Sequence, residues 1–504
     1  MQESRIKKSV LNAKINLIFY ILVLGISFFS RKIFLNYLGT EFLGLTGTLQ
    51  NLLSFLNLAD LGIGASIGYV LYKPIFDKDE KKIIEIVSVL GYLYSRIGFI
   101  ILVLGIILSF FLPLIFGDTN ISIGVIYAVY YGFLFSSLIG YFINYRQTLL
   151  GADQKNYVVA GYFQTANIIK TLVQMGGAVY WCNFYVWIII EFSFNILYAL
   201  ILNYKISKTY PWLCCSVSLG KRYYREYKII ITKAKQMGRN QLLPFLIYVY
   251  GSLTIVTYYG NYTIITFKVQ QLFDNLLNST GAGVGNLIAQ GNIKKIKEIY
   301  WELQGVRMAA AAFTIFAFYT LIDPFISIWL GEKYLLSSSI VIILLLNVFL
   351  GQTRGTTEQF IYGYGLFQDV WAPLATLVIT IGVGLVGGYF FGLAGVIAGD
   401  CCSSLFILHI WKPYFLFKYG FKSSVREYWH KQLLLLLIII VSFAIVLYIK
   451  NFIQLNMPRT YWEWIKYSTI VISIYLLVFI PVFYVCFKPI RLFVGRLIDS
   501  RKNK

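Results

Sequence analysis

Apolar stretches long enough to cross a membrane recur fourteen times along the 504-residue sequence. A helix spans the hydrocarbon core of a bilayer with about 20 apolar residues, so each stretch predicts a transmembrane helix. Hydrophobic residues make up 58% of the chain, too large a share for a soluble protein of this length. We therefore expect an all-α integral membrane protein with 14 transmembrane helices. The spans are placed near residues 15–35, 43–71, 86–112, 122–145, 157–180, 184–204, 228–250, 257–288, 304–328, 338–362, 369–391, 393–411, 432–450 and 464–487.

Basic residues are concentrated in every second gap between these spans. With the N-terminus inside, 34 of the 44 lysines and arginines fall in cytoplasmic segments, including Arg307 and Arg354. The opposite gaps hold Lys333 and Arg459, with Lys450 at a span end. The positive-inside rule then predicts that both termini are cytoplasmic. Because the net charge of +22 is distributed over many short loops, membrane lipids are favoured over nucleic acid as its partner.

Signatures of catalysis and of metal binding are weak. No Gly-rich loop ends in Gly-Lys-Ser/Thr, and the two histidines, His409 and His430, form no ligand cluster with the cysteines. The six cysteines predict no disulfide framework, because Cys214 and Cys215 fall in a cytoplasmic segment and Cys182 lies alone at an outer end. We expect a protein that is not an enzyme and that holds no metal or cofactor.

Three landmarks occur twice in the same order. They are a glycine that ends the first span, an outer-loop glycine after a proline, and a glycine in an inner-loop turn. They are separated by 78 and 34 residues in the first copy and by 80 and 34 in the second. Each copy holds six spans, an even number, which predicts two parallel repeats that alternate access around a central site. The glycines are Gly39, Gly117 and Gly151, then Gly251, Gly331 and Gly365.

This repeat predicts three domains. Residues 1–210 form an N-terminal six-helix bundle, and residues 211–420 form a C-terminal six-helix bundle. Residues 421–504 add helices 13 and 14 and a basic cytoplasmic tail. The gaps on the outer side are typically under about ten residues, which leaves little room for a folded catalytic domain.

Charged side chains inside the spans are candidates for function, because burying one at the bilayer centre costs about 2.5–3.5 kcal/mol. Cations that face one cavity would favour a phosphate or diphosphate, which guanidinium groups bind bidentately. Acids at this depth could bind a coupling proton or cation, or serve structure. The candidate diphosphate site consists of Arg31, Arg96, Lys170, Arg239 and Lys268, and the acids are Asp60, Glu191, Asp274 and Asp400.

Several of these charges also have a structural interpretation. Arg31 could extend to the outer interface. Lys170 and Arg96 could pair with Glu191 and Asp60. The Asp60 carboxylate could instead satisfy backbone groups freed by neighbouring glycines. The residue pattern leaves these alternatives open.

A series of motifs is distributed over residues 15–415: Tyr37-Leu-Gly39, Asn57-Leu-Ala-Asp60-Leu-Gly-Ile-Gly64, 145–157, Tyr259-Gly-Asn-Tyr262, Gly285-Asn-Leu287, 325–331 and 365–373. Together they resemble the motifs of bacterial polysaccharide flippases, the oligosaccharide-lipid branch of the multidrug/oligosaccharidyl-lipid/polysaccharide exporter superfamily. One position departs from the family, whose members often carry an acidic residue late in the seventh span, where this chain reads Asn240-Gln-Leu-Leu-Pro244.

The resemblance implies a flippase of the bacterial inner membrane. Such a protein moves oligosaccharide repeat units on undecaprenyl diphosphate from the cytoplasmic to the periplasmic leaflet, for O-antigen, capsule or exopolysaccharide synthesis. It further implies a V-shaped pair of six-helix bundles driven by an ion gradient, of H⁺ or Na⁺, or by the membrane potential. A polysaccharide polymerase and a chain-length regulator are the implied protein partners, and helices 13 and 14 are expected to accommodate the lipid tail.

Two other functions are compatible with the sequence. A cation-coupled exporter of drugs or metabolites would use the same scaffold, although an acidic cavity and twelve spans are more usual for it. A membrane-embedded glycan polymerase would need a sizeable outer loop with catalytic residues, and the short outer gaps argue against one.

Overall fold

A computed structural model describes residues 5–502 apart from 57–62, 118, 154, 225–251, 279–283, 286, 289, 367 and 370. All regular structure in these residues is helical, with no strand among them, which confirms the expected all-α fold. Ten helical segments are long and apolar enough to cross a membrane. The chain is therefore a multi-pass membrane protein.

These ten segments correspond to ten of the fourteen predicted spans. Of the other four, the span at 157–180 is a helix of lower hydropathy, and so is the part of the span at 257–288 that ends at Asn278. The span at 43–71 contains parts of two helices on either side of residues 57–62. The span at 228–250 lies outside the described residues.

The described chain forms two compact units, the second of which begins at Tyr258. The first unit contains a short 3₁₀ turn at Asn144–Arg146 and the first five residues of the helix that enters the second unit. Its helices are α1 (Arg5–Tyr37), α2 (Gly39–Leu56), α3 (Ile63–Asp77), α4 (Glu80–Ser109), α5 (Leu112–Ile115), α6 (Ile123–Phe142), α7 (Gln147–Ala152), α8 (Asn156–Trp181) and α9 (Phe184–Thr209).

The second unit contains a 3₁₀ turn at Glu332–Tyr334 and two π-helical segments, Ser404–Trp411 and Leu416–Gly420. Through these π-helical segments one continuous helix runs from Leu393 to Gly420. It ends well past residue 411, where the predicted span ends. The helices are α10 (Leu253–Asn278), α11 (Ile293–Trp329), α12 (Ser338–Thr353), α13 (Gly355–Gly363), α14 (Trp371–Phe391), α15 (Leu393–Ser403), α16 (Lys412–Phe415), α17 (Arg426–Ile453), α18 (Tyr461–Cys486) and α19 (Lys488–Lys502).

Helices pack in the same order within each unit. In the first unit α4 packs on α6, α6 on α9, and α8 on α9. In the second unit the helices at the equivalent positions of the sequence repeat this order, because α11 packs on α12, α12 on α15, and α14 on α15. This agreement is expected if both units derive from one duplicated bundle.

Glycines bring the backbones of α14 and α15 into contact. A Cβ atom added to Gly395 would collide with the carbonyl group of Gly387, and one added to Gly399 would lie 2.6 Å from the carbonyl oxygen of Thr380. In lipid, helix association depends on van der Waals packing, so small residues are favoured where helices cross closely. The glycine-rich sequence of α14 therefore serves packing.

The last two spans share a buried core with α11. The rings of Phe316 and Tyr475 stack with their centroids 4.1 Å apart, and the indole of Trp464 donates a hydrogen bond to the carbonyl of Leu321 at 3.1 Å. The buried amide of Gln304 donates to Gln432 at 3.3 Å. Aromatic stacking and hydrogen bonds between helices both stabilise such contacts in lipid, so α17 and α18 pack as part of the second unit.

Candidate functional site

Two of the predicted cations in the first unit have separate environments. The guanidinium of Arg31 donates a hydrogen bond to the carbonyl of Thr257 at 3.1 Å, which connects α1 to the start of α10. The guanidinium of Arg96 is exposed and lies 4.8 Å from the ring centroid of Tyr92, one turn earlier on α4. Each arginine therefore has a local partner, which is a hydrogen-bond acceptor for Arg31 and an aromatic ring for Arg96.

Lys170 and Glu191 form a salt bridge between α8 and α9, with the ammonium nitrogen 2.8 Å from Oε1. Only 15% and 13% of their side chains are exposed. Gln174 donates to the other carboxylate oxygen at 3.0 Å, and Asn195 donates to Oε1 at 3.3 Å. Breaking such a buried pair by removing one partner is strongly destabilising, so the pair is a well-supported structural element.

A small cavity lies beside this pair, with a volume of about 10 Å³, which is room for about one water molecule. Asn167 and Tyr198 line it together with Lys170. Because Lys170 is already neutralised by Glu191, an incoming anion would have to compete with that carboxylate.

A second pair, between Asp274 and Arg307, joins α10 to α11 in the second unit. The guanidinium Nη1 lies 3.4 Å from Oδ1 of Asp274 and donates to the carbonyl of Gln352 at 3.3 Å. The Arg307 side chain is 3% exposed, whereas that of Asp274 is 34% exposed. The arginine is thus held inside the unit, and the carboxylate reaches its surface.

The surroundings of Arg307 are shaped to hold its guanidinium. Gly355 packs so closely that a Cβ atom there would collide with the guanidinium group. Gln352, whose carbonyl accepts from Arg307, donates its amide to Thr314 at 3.4 Å. These contacts fix the arginine from α11, α12 and α13 together.

Further polar groups continue along α12, α13 and the π-helical segment. Arg354 lies 3.9 Å from Glu358, measured from Nε to Oε1, and is within electrostatic reach of Asp400 on α15. The buried imidazole of His409 shares a hydrogen bond of 2.9 Å with the hydroxyl of Thr353. The second unit therefore contains a connected series of polar and charged side chains.

Of the four remaining predicted site residues, two are described by the structure and two are not. Lys268 is partly buried on α10, and Asp400 is partly buried on α15. Arg239 and Asp60 lie outside the described residues. In the part of the chain that the structure describes, no three His, Cys, Asp or Glu side chains are close enough to hold a metal ion.

The sequence reasoning missed Arg307, which the basic-residue pattern assigns to a cytoplasmic gap. Helix α11 has 37 residues and is about 55 Å long, far more than the hydrocarbon core requires. Arg307 lies 22 residues before Trp329, or about 33 Å along the helix, which places it at the inner boundary of a span that ends at Trp329. The sequence signal for a membrane-depth arginine was that no glycine–proline turn or other helix break separates Arg307 from the apolar residues that follow it.

Two of the solved structures that resemble this fold are informative. The lipid II flippase MurJ, in an inward closed conformation, aligns with a TM-score of 0.65 over 94% of this chain and 99% of its own, at 15% identity. A multidrug resistance MATE family transporter of the MOP superfamily, in an inward-facing conformation, aligns with a TM-score of 0.57 over 81% of this chain and 97% of its own, at 13% identity. The chain shares the fold of these two proteins. No protein-family model matches the sequence, and comparison with curated proteins gives no match.

The two neighbours differ in the share of this chain with which they align. The difference between 94% and 81% is 13% of 504 residues, or about 65 residues. The hairpin Arg426–Cys486 has 61 residues, so the additional coverage is of the size of α17 and α18. Both neighbours are transporters.

Proposed function

We propose that this protein is a flippase that moves oligosaccharide repeat units on undecaprenyl diphosphate from the cytoplasmic to the periplasmic leaflet of a bacterial inner membrane. The observation that carries the proposal is the likeness to a lipid II flippase over 94% of the chain, which extends beyond the share that a drug transporter covers. The flippase motifs in residues 15–415 support it independently of the fold.

The chemistry of the substrate divides it between two environments. The polyprenyl tail stays in lipid, since each CH₂ group moved into water costs about 0.8 kcal/mol. The diphosphate and the sugars must cross inside the protein, where cations are needed to replace their hydration. Arg31, Arg96, Lys170, Arg239 and Lys268 are the proposed diphosphate site.

Lys170 has a defined role in this proposal. In the structure its charge is balanced by Glu191, so Lys170 is not an uncompensated charge. Binding of a diphosphate would separate the pair and leave the carboxylate free to take up a proton or Na⁺. This exchange would couple substrate movement to an ion gradient, and Asp60, Asp274 and Asp400 are further candidates for the same role.

Binding by purified protein in nanodiscs tests the proposed site. We expect a polyprenyl-diphosphate oligosaccharide to bind more tightly than the same lipid with a monophosphate, because an Arg-rich site gains from each additional charge. The variant Arg31→Gln/Arg96→Gln should lose at least about tenfold in affinity. A matched control, Lys450→Gln/Lys466→Gln, also removes two cations, which stack on Tyr467 and Trp462 outside the proposed site. Equal losses in both variants would contradict the assignment.

A drug exporter is the second candidate, and the likeness to a MATE transporter favours it. Such a protein would bind lipophilic cations through exposed carboxylates. The same titration distinguishes the two functions, because an exporter would bind a cationic drug and would show no preference for a diphosphate over a monophosphate.

A further inference from the structure

An open cleft of about 540 Å³ lies where the long helix from Leu393 meets α17. The basic-residue pattern places this end of the helices on the cytoplasmic side. The cleft is lined by Tyr414, Lys418, Lys422, Ser423, Ser424 and Val425.

The two lysines of this cleft differ from their neighbours in having no acidic partner. Lys412 pairs with Asp369 at 2.6 Å, and Lys431 pairs with Glu427 at 2.9 Å. Lys418 instead donates to the hydroxyl of Tyr414 at 2.9 Å and lies over aromatic rings. Among the described residues no carboxylate pairs with Lys418 or Lys422, so their positive charges are available to a ligand.

The cleft also contains an unused hydrogen-bonding group. The hydroxyl of Ser423 is buried and has no hydrogen-bond partner within the described structure. Its backbone N–H donates to the carbonyl of Phe417 at 2.9 Å, which fixes the residue in place. A buried hydroxyl without a partner is unfavourable, and a ligand oxygen would satisfy it.

Backbone geometry adds a further attraction for anions. Lys422 has a φ of +50°, a left-handed conformation that turns the chain sharply before α17 begins at Arg426. The N-terminus of a long helix carries a partial positive charge. The one carboxylate in its first turn, Glu427, is held by Lys297 and Lys431 and is therefore neutralised.

We propose that this cleft, formed by residues 414–425, binds the phosphate of an anionic lipid headgroup in the cytoplasmic leaflet. A lipid fits better than a free phosphate because the cleft is next to apolar surface. Leu433 and Leu437, in the turns of α17 that follow, are each 59% exposed. Acyl chains can lie against such residues while Lys418, Lys422 and Ser423 hold the headgroup. The site is independent of the transported substrate.

Retention of phosphatidylglycerol by the purified full chain, measured by native mass spectrometry, tests the proposal. The variant Lys418→Gln/Lys422→Gln should retain about 30-fold less of this lipid than the unmodified protein, the loss expected for two interfacial lysines. Phosphatidylcholine, which has no net charge, should be retained equally by both. The matched control is Lys294→Gln/Lys295→Gln, which removes two exposed charges near the start of α11. An equal loss in the control would overturn the proposal, because it would indicate general attraction to the membrane surface.

A second variant keeps the test decisive if the lysine variant folds poorly. Ser423→Ala removes a hydroxyl that has no partner without lipid, so it should lower lipid retention without lowering the melting temperature in lipid-free detergent. Unchanged retention would contradict the assignment of Ser423. Inorganic phosphate at millimolar concentration should not displace the lipid. Displacement would show that the cleft is a site for free phosphate, which would overturn the lipid assignment.

Discussion

Arg307 on α11 is bound to Asp274 on α10, with Nη1 3.4 Å from Oδ1, and the two partners differ sharply in exposure. The arginine is almost fully buried, and a third of the aspartate side chain is open to its surroundings. Loss of one partner should therefore affect stability differently for the two residues. The aspartate can be hydrated when its partner is lost, whereas the arginine stays buried.

Removing the aspartate should therefore be more damaging than removing the arginine. Asp274→Asn leaves a buried cation without its counterion and should cost roughly 3 kcal/mol of stability. Arg307→Met leaves a carboxylate that can be hydrated, and it should cost less than half as much. Thermal unfolding in detergent measures both, and the reverse order would show that Asp274 does not stabilise the buried arginine.

The Lys170–Glu191 pair allows folding and transport to be separated. Glu191→Gln should destabilise the protein by roughly 3 kcal/mol, because Lys170 stays buried without a counterion. Lys170→Met/Glu191→Leu replaces both charges by apolar groups of similar size and should come within about 1 kcal/mol of the unmodified protein. If Lys170 belongs to the diphosphate site, this double variant will be folded and inactive in a flipping assay. Full activity would restrict the pair to a structural role.

Backbone contact between α14 and α15 predicts unequal effects of two glycine substitutions. Gly395→Ala introduces a methyl group against the backbone of Gly387, where no side-chain movement can relieve the collision, and should cost about 3 kcal/mol or more. Gly382→Ala has nothing within 4 Å and should be neutral or raise stability by up to about 1 kcal/mol, the difference in helix propensity. Detergent-solubilised melting curves of the two variants provide the comparison.

Labelling of native cysteines can test the predicted membrane topology. Cys182 and Cys214 are both exposed, and the charge pattern places the first outside and the second in the cytoplasm. In single-cysteine variants, a membrane-impermeant maleimide should label Cys182 in intact cells and label Cys214 only after the cells are opened. Burial raises the pKa of the Cys215 thiol, so at neutral pH it should react more slowly than Cys214, with the rate rising as pH increases. Labelling of Cys214 in intact cells would contradict the predicted orientation and indicate the opposite one.

Long apolar stretches predicted most of the fold because hydrophobicity alone decides whether a segment enters lipid. The span predicted at 432–450 lies within Arg426–Ile453, and the one at 464–487 nearly coincides with Tyr461–Cys486. Hydropathy could not predict the π-helical continuation from Ser404 to Gly420, since that geometry depends on packing and hydrogen bonds such as that of His409 with Thr353.

Side-chain partners were harder to predict than spans. Sequence reasoning could offer Glu191 as one of several partners for Lys170, but the register of α8 against α9 decides it. Arg307 lies near the inner end of the span predicted at 304–328 but was counted with the cytoplasmic basic residues, because the charge pattern does not show which side chains are buried. In the structure the helix runs from Ile293 through Arg307, and the Asp274 carboxylate compensates the buried arginine.

The central claim is best tested by following a fluorescent undecaprenyl-diphosphate oligosaccharide across proteoliposomes that contain the full chain. The fraction of lipid accessible to a membrane-impermeant quencher is measured over time, with and without an imposed membrane potential, pH gradient or Na⁺ gradient. The proposed function predicts that movement between leaflets is faster than in protein-free vesicles and depends on at least one of these gradients. Movement no faster than in protein-free vesicles, together with uptake of a cationic drug under the same gradients, would contradict it and favour an exporter.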